Sequence, residues 1–153
     1  MKIDIKPYKP SDAAELHKIF YTSIHSIAAS YYTKEQLDAW APKMFKAEEW
    51  QNKMDLLMPF VAYRGNEIVG YADLQDDGYI DHFFVAQPCC GIGTALIHQI
   101  INVAQFKRIN KLWAHVSLSA EMFFKINQFE VIKRQKVTVR GMVLHNAVMV
   151  RML

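Results

Sequence analysis

The sequence predicts a mixed fold of helices and strands, of the α/β class in its α+β form, built on a largely antiparallel sheet. Apolar residues recur at helical spacing through the first third of the chain, and beyond Pro59 they alternate with polar residues as in strands. Tight turns join several of these strands as hairpins, and a glycine-rich turn leads into a long helix between them. The chain has 153 residues, the length of one domain, so we predict a single domain over residues 1–153.

The first third is predicted to contain one strand and three helices. Residues 2–6 alternate apolar and polar side chains, and Pro7 ends that strand. Ser11 and Asp12 supply an N-cap for the first helix, and Thr33 supplies one for the second. The predicted helices run from Ser11 to about Ala29, from Thr33 to Pro42, and over 46–57.

The remaining two thirds are predicted to alternate strands with two helices. Turn residues lie at 65–66, 76–78 and 140–141, and segment 79–85, dense in aromatic and branched residues, is predicted to be a central strand. The predicted strands are 60–63, 67–74, 79–85, 112–116, 130–139 and 142–152, and the helices are 91–106 and 119–126. With the N-terminal strand this makes about seven strands flanked by helices.

Composition and charge exclude several classes of function. Lys plus Arg number 18 and Asp plus Glu 15, and the net charge of +3 is scattered, so we expect no nucleic-acid or membrane partner. No apolar run approaches the roughly 18 residues that span a bilayer, and the first residues lack the apolar region of a signal peptide. Cys89 and Cys90 are adjacent and poorly placed for a structural disulfide, so we predict reduced thiols and a cytoplasmic location.

The segment with the most chemical content is a strand, a glycine turn and a helix at residues 83–96. The first amides of a helix are unpaired and lie at its positive end, and glycine lets a bulky anion approach the backbone. Gly91-Ile92-Gly93 therefore suits a phosphate or pyrophosphate, although a tight turn without a ligand fits the turn alone equally well. The Gly-Lys-Ser/Thr of a P-loop and the three glycines of a dinucleotide fingerprint are both absent.

Several motifs, in the same order, resemble the GNAT superfamily of acetyl-CoA-dependent N-acetyltransferases. Residues 91–97 resemble the end of its pyrophosphate-binding motif, and residues 79–85 resemble its central fourth strand. A later family helix, Asn-x-x-Ala-x-x-Phe-Tyr followed by Gly-Phe, is matched by Ser117, Ala120, Phe123, Phe124 and Phe129. The N-terminal half resembles an uncharacterised bacterial branch, so the resemblance covers essentially the whole chain.

The resemblance implies acetyl-CoA as cosubstrate, bound in a cleft where the fourth and fifth strands splay apart. The implied cofactor-binding residues are Phe83, Phe84, Val85, Cys90, Gly91, Ile92, Gly93, Thr94, Ala95, Ser117, Phe123 and Phe124. The first three would pair their backbone with the pantetheine arm. The implied reaction is direct attack of a primary amine, on a small molecule or a peptide, on the bound thioester, with a base to take the amine proton.

Three positions depart from the family pattern. The Arg or Gln that usually precedes the glycines is missing, because one alignment puts Pro88 there and the other puts Cys90. Pyrophosphate binding would then rest on backbone amides, with reduced affinity for coenzyme A. Phe124 replaces a tyrosine that often serves as general acid, and a phenyl ring cannot donate a proton. Gln128 replaces the glycine before Phe129, which changes only a turn.

The candidate catalytic base lies on the predicted central strand. Asp81 and His82 are neighbours and so face opposite sides of that strand. His82 has the better pKa for taking a proton near neutrality, whereas Asp81 needs a raised pKa or a water relay, and the sequence leaves the choice open. A packed core histidine and a simple hydrogen-bond acceptor are the structural alternatives. Asp73, Asp76 and Asp77 lie nearby and suit a cationic substrate, but solvated turn acids explain them better.

Aromatic residues of the first two helices and their connection are predicted to form the acceptor pocket, because the family fold places this region over the acceptor side of the cleft. The candidates are His25, Tyr31, Tyr32 and Trp40, although aromatic residues at helical spacing also suit a core. The remaining histidines, His17, His98, His115 and His145, lack metal-ligand spacing, so we predict no metal site.

The predicted function is acetyl transfer to a primary amine. One alternative is a non-catalytic protein of the same fold that binds and senses acyl-CoA, which Phe124 and the missing Arg or Gln favour. Another is a redox protein that uses Cys89 and Cys90, since thiols near a helix N-terminus are reactive. Similar proteins often form a homodimer through the closing hairpin, and we keep that as a further expectation.

Overall fold

A computed structural model describes residues 2–153 and confirms the predicted fold class. The strands are β1 Ile3–Pro7, β2 Phe60–Arg64, β3 Glu67–Ala72, β4 Tyr79–Ile80, β5 Phe83–Val85, β6 Lys111–Ser117, β7 Glu130–Val139 and β8 Met142–Met152. The α-helices are α1 Ala13–Thr22, α2 Lys34–Trp40, α3 Ala47–Leu57, α4 Ile92–Phe106 and α5 Glu121–Ile126. Across this described part of the chain, no helix combines the length and apolar character needed to cross a bilayer.

The strands form two four-stranded sheets. One has the order β1-β2-β3-β5, and the other has the order β4-β6-β8-β7. Every neighbouring pair is antiparallel except β4 and β6, which run parallel. The closing hairpin of β7 and β8 is the longest pairing, and it joins the second sheet through β6.

The predicted central strand 79–85 is wrong as one continuous strand. Its first half, β4, pairs with β6, and its second half, β5, pairs with β3 in the other sheet. Between them the Asp73 carboxylate accepts the amide N–H of Asp81 at 2.9 Å and of His82 at 2.7 Å. A side chain therefore replaces a partner strand at this point. The chain passes from one sheet to the other there, and the sheets separate between β5 and β6, where the splayed cleft was expected.

The first helix is shorter than predicted. It begins after a 3₁₀ turn at Pro10–Asp12, and the Asp12 carboxylate accepts the amide of Lys9 at 3.0 Å instead of capping the helix that follows. The helix ends at Thr22 and continues as a π-helical turn, Ser23–Ile27. The predicted start of the second helix is confirmed: Thr33 and Gln36 form a reciprocal capping box before α2.

Three apolar clusters hold the helices on the sheets. Leu96, Ile97 and Ile100 of α4 are fully buried in a cluster with apolar residues of both sheets, and burying each such side chain contributes roughly 1.5–3 kcal/mol. On the other face of the first sheet, α1 and α3 cover β2 and β3. The π-helical turn and α2 pack on the closing hairpin. Together these clusters fix the elements that border the cleft.

Candidate active site

A cavity of about 370 Å³ lies between β5, the glycine turn and α5, and we call it the cofactor lobe. Nine of the predicted cofactor residues line it: Phe83, Phe84, Val85, Gly91, Gly93, Thr94, Ser117, Phe123 and Phe124. The π-helical turn contributes Ser23, Ile24 and Ile27, which the sequence did not predict. A π turn widens a helix locally, and no local sequence pattern distinguished it here from a continued α-helix.

The glycine turn presents unpaired amides at the start of α4. Gly91 is the N-cap, and the first helical hydrogen bond runs from the Ala95 amide to the Gly91 carbonyl at 3.0 Å. The amides of Ile92, Gly93 and Thr94 precede that bond and so have no partner within the helix. These donors and the positive end of the helix dipole suit an anionic group, with no long polar side chain required.

The two glycines of the turn are needed for different reasons. Gly91 has a φ of +79°, a conformation that side chains rarely adopt, but a Cβ there would meet nothing within 4 Å. Gly93 has ordinary helical geometry, but a Cβ there would lie 2.9 Å from the Phe123 ring. Gly93 therefore allows α5 to approach the start of α4 and close the end of the cofactor lobe.

Three residues predicted to bind the cofactor do not line the cofactor lobe. Ile92 is buried in the core, where its side chain packs against the backbone at Gly70. Cys90 is exposed, and its thiol lies 3.3 Å from the Pro88 carbonyl oxygen, outside the cavity. Ala95 is the third. A contact from their side chains is therefore not supported, and any contribution would come from their backbone amides.

A second cavity, of about 320 Å³, lies between β6, β8 and the strand break, which is the gap at Asp81 and His82 between β4 and β5. We call this cavity the acceptor lobe. The residues that border both cavities are Trp40, Phe83, Phe84, Ser117, Ala120 and Phe124. The two lobes therefore adjoin along a mostly aromatic wall. Asp81 and His82 line the acceptor lobe and do not line the cofactor lobe.

His82 is almost fully buried, with 6% of its surface exposed. Its Nδ1 lies 2.9 Å from the Tyr71 hydroxyl, and its ring lies among those of Phe20, Trp50 and Phe84. Burial lowers the pKa of His82 to about 4, against which the nearby Asp81 carboxylate acts only in part. The imidazole is therefore neutral at pH 7.

Asp81 is more exposed to solvent than His82. Its side chain is about one third exposed, and its Oδ2 lies 3.7 Å from Lys53 Nζ, so the acceptor lobe carries one residue of each charge at this edge. Asp73 behind it is completely buried, and burial raises its pKa to about 6 despite the two amides it accepts. The interpretation of Asp73 as a solvated turn acid is thus wrong, whereas Asp76 is exposed as expected.

The predicted acceptor residues separate into two pairs. Tyr32 and Trp40 line the acceptor lobe, and the Tyr32 hydroxyl is fixed by donating to the His145 carbonyl and accepting the Leu118 amide. His25 and Tyr31 line neither lobe. The Nε2 of His25 is bonded to the Ala41 carbonyl at 2.7 Å, and Tyr31 is largely exposed, so the structure does not bring these two to the cleft.

Phe124 borders both lobes, at the position where the family pattern often has a tyrosine. It is buried and packs edge-to-face against Phe83, Phe123 and Phe129. This cluster holds α5 beside β5. Ser117, at the end of β6, shares a hydrogen bond of 3.0 Å with Ser119, which lines the cofactor lobe.

The roles of several residues of the site were not predicted from the sequence. Tyr71 and Asp73 fix His82 from the ring and from the backbone, while Phe20 and Lys53 reach the acceptor lobe from α1 and α3. Of these, the sequence singled out only Asp73, as one of several acids near the predicted central strand, and it did not predict the bonds of Asp73 to the backbone. Within residues 2–153, no three His, Cys, Asp or Glu side chains cluster closely enough to hold a metal ion.

Comparisons with known proteins agree on one family. A family model described as an acetyltransferase (GNAT) domain matches residues 28–150. A protein of Escherichia coli (strain K12) named uncharacterized N-acetyltransferase YafP is 29% identical over 141 residues, which are 91% of this chain and 89% of that protein.

Solved structures give the same result. The chain is similar to a GCN5-related N-acetyltransferase from Rhodopseudomonas palustris, with a TM-score of 0.95, 27% identity, and coverage of 100% of this chain and 97% of the other. It also resembles the PaiA N-acetyltransferase of Thermoplasma acidophilum, solved in complex with coenzyme A, with a TM-score of 0.78, 16% identity and full coverage of both chains. At that identity the second likeness concerns the fold.

Proposed function

Because this chain belongs to the GNAT acetyltransferase family and is an acyltransferase, we propose that it moves an acetyl group from acetyl-CoA to a primary amine of a small molecule or peptide. The observation that carries the proposal is the shared wall between the two lobes. A cavity that ends at unpaired helix amides adjoins a cavity that contains a carboxylate and an imidazole. This arrangement suits a reaction between an anionic, elongated donor and an amine that must lose a proton.

Acetyl-CoA, when bound, supplies a thioester whose carbonyl carbon accepts the amine. The residues present fit such a ligand. The amides of Ile92, Gly93 and Thr94 suit the pyrophosphate, and the backbone of Phe83–Val85 borders the lobe along the expected path of the pantetheine arm. The coenzyme A complex of the PaiA relative supports the same ligand class. The missing Arg or Gln is consistent with an affinity that depends on backbone donors.

The acceptor lobe can position the amine and take up its proton. Tyr32, Trp40 and Phe84 give it a rigid aromatic wall, which excludes water from the reacting groups and orients the substrate. Asp81 and His82, at the strand break, are the two candidates to receive a proton or to donate a hydrogen bond, and His115 and His145 also line this lobe. Phe124 offers no proton to the leaving thiolate, and the modest pKa of a thiol makes unassisted departure feasible.

Calorimetric titration of acetyl-CoA, with coenzyme A and ATP as comparison ligands, tests the donor half of the proposal. We expect saturable binding of the first two and none of ATP, because the pantetheine arm contributes contacts along β5. An amine panel with release of coenzyme A as the readout then tests the acceptor half. Absence of binding at millimolar ligand, or of coenzyme A release with every amine, would contradict the proposal. The cytoplasmic location and the homodimer remain predictions, the second open to light scattering.

A further inference from the structure

His82 is held in place at both its backbone and its ring. Its amide donates to the Asp73 carboxylate at 2.7 Å, and its Nδ1 lies 2.9 Å from the hydroxyl of Tyr71. Tyr71 has no exposed surface, and this is the only hydrogen bond of its hydroxyl within residues 2–153. The orientation of the imidazole is therefore fixed before any ligand binds.

The direction of the bond between Tyr71 and His82 follows from counting donors and acceptors. Burial keeps both groups neutral at pH 7, since it lowers the pKa of His82 to about 4 and raises that of Tyr71 well above its ordinary value of 10. If Nδ1 carried the hydrogen and donated it, the buried phenol hydrogen would have no acceptor. Such an unmade bond is unfavourable, so the phenol donates and Nδ1 accepts. A neutral imidazole that accepts at Nδ1 carries its hydrogen on Nε2.

The Nε2 edge of His82 is the edge that remains available to a ligand. Nε2 has no hydrogen-bond partner among residues 2–153, and the two ring nitrogens point in widely different directions, so it is turned away from Tyr71. Nε2 also has accessible surface. Among residues 2–153, Asn146 Oδ1 is the one buried polar side-chain atom without a hydrogen-bond partner, so Nε2, which has no partner either, is not buried. His82 lines the acceptor lobe, so this donor is accessible from there.

We infer that Tyr71 is a positioning residue that fixes His82 as an Nε2–H hydrogen-bond donor in the acceptor lobe, which leaves Asp81 as the one of the two candidate bases at the strand break that accepts the amine proton. The catalytic part of the inference rests on the proposed acetyl transfer. As the C–N bond forms, the C–S bond breaks and its electron pair leaves with the sulfur. The amine proton passes to the Asp81 carboxylate, directly or through water, while His82 donates to a reactant oxygen. The charged groups near His82 are Asp73, Asp81 and Lys53.

The tautomer of His82 can be measured without substrate. Long-range ¹⁵N–¹H correlation spectra of histidine-labelled protein contain only six imidazoles, and His82→Gln assigns the relevant one. We expect the Nε2–H tautomer from pH 5.5 to 8. The Nδ1–H tautomer, or an imidazolium in that range, would overturn the inference. Tyr71→Phe should shift the Nδ1 resonance, and Tyr63→Phe, a buried tyrosine on the neighbouring strand, should not; an unshifted Nδ1 in Tyr71→Phe would refute the positioning by Tyr71.

Measurements of kcat then distinguish a role of His82 as a hydrogen-bond donor from a role as a base that accepts a proton. His82→Ala should lower kcat by roughly 10²-fold or more, the effect of losing one donor to developing charge. His82→Gln restores an N–H donor but cannot act as a base, so it should recover at least tenfold over the alanine variant. Equal inactivity of two folded variants would exclude the donor role. The matched control, His98→Gln on the exposed face of α4, should leave kcat unchanged. Failure of acetyl-CoA binding would contradict the proposed function alone, because the tautomer measurement needs no ligand.

Discussion

The two lobes of the cleft are built from different parts of the chain. The cofactor lobe joins one contiguous segment, residues 83–94 with its strand edge, glycine turn and first amides of α4, to the π-helical turn and to the segment 117–126. The acceptor lobe takes residues from α1, α2, α3 and α5, from the five strands β4 to β8 and from the strand break. The backbone amides at the start of α4 suit a constant part of a ligand, whereas side chains from many elements can change the ligand that they accept by single substitutions.

The variant with the largest expected effect tests whether the proton transfer takes place in the acceptor lobe, independently of cofactor binding. Asp81→Asn should lower kcat by roughly 10²–10⁴-fold, or about 3–5 kcal/mol in the barrier, because the amide cannot take a proton. The Kd of acetyl-CoA should stay unchanged, since Asp81 does not line the cofactor lobe. Steady-state kinetics and calorimetry measure the two quantities. Asp76→Asn, an exposed acid on the nearby turn, is the control; a kcat of Asp81→Asn within threefold of the wild type would remove Asp81 from the chemistry.

The second prediction concerns the Asp73 carboxylate, which accepts the backbone amides at the strand break. Asp73→Ala leaves the amides of Asp81 and His82 without their acceptor, and it should lower the free energy of unfolding by about 2–4 kcal/mol. Urea denaturation measures the loss. Asp76→Ala should stay within about 0.5 kcal/mol of the wild type, because that side chain is 98% exposed. Equal stability of the two variants would show that the strand break needs no carboxylate.

A third prediction uses the opposed pKa shifts of Asp73 and His82. The pKa of Asp73 is raised from its ordinary 3.8 to about 6, so its stabilising contribution is present below 3.8 and lost as pH rises through 6. The pKa of His82 is lowered from 6.5 to about 4, so its contribution is present above 6.5 and lost as pH falls through 4. The pH ranges over which the two contributions change overlap, so in the wild type their effects on the free energy of unfolding oppose each other.

Asp73→Asn should uncover the histidine effect, because asparagine keeps an acceptor oxygen for the two amides but does not titrate. Between pH 6.5 and 4.5 the free energy of unfolding of the variant should fall with a slope approaching about 1.4 kcal/mol per pH unit relative to the wild type. Urea denaturation at several pH values provides the curve. Parallel curves for the two proteins would contradict the raised pKa of Asp73.

The smallest expected effect concerns the cofactor lobe. Gly93→Val places a side chain against Phe123, so it should raise the Kd of coenzyme A about tenfold, or roughly 1.4 kcal/mol, by moving α5 or narrowing the lobe. Phe123→Ala in the same chain should restore part of the affinity, because it frees the space that the new side chain needs. Calorimetry distinguishes these outcomes. An unchanged Kd in Gly93→Val would show that the close approach of α5 has no part in binding.

The sequence predicted the cofactor lobe better than the acceptor lobe. Of the residues predicted there, Phe83, Gly91 and Gly93 line the cavity, whereas Cys90 and Ile92 of the same segment do not, because successive residues of a turn and a helix point in different directions. In the acceptor lobe, Tyr32 and Trp40 line the cavity, but His25 and Tyr31 do not. Helical spacing states which residues share a face, but not which neighbouring element that face meets.

By itself, the sequence determined the fold class, the hairpins, the capping box of α2 and the helix that starts at the glycine turn. These depend on periodicity, caps and turns, which act over a few residues. Only the tertiary structure decided where segment 79–85 breaks, because the break depends on a carboxylate eight residues away. Likewise it decided the proton state of His82, which depends on burial and on Tyr71, eleven residues away on the neighbouring strand. Burial and hydrogen bonding between distant residues set these properties, and no local pattern encodes them.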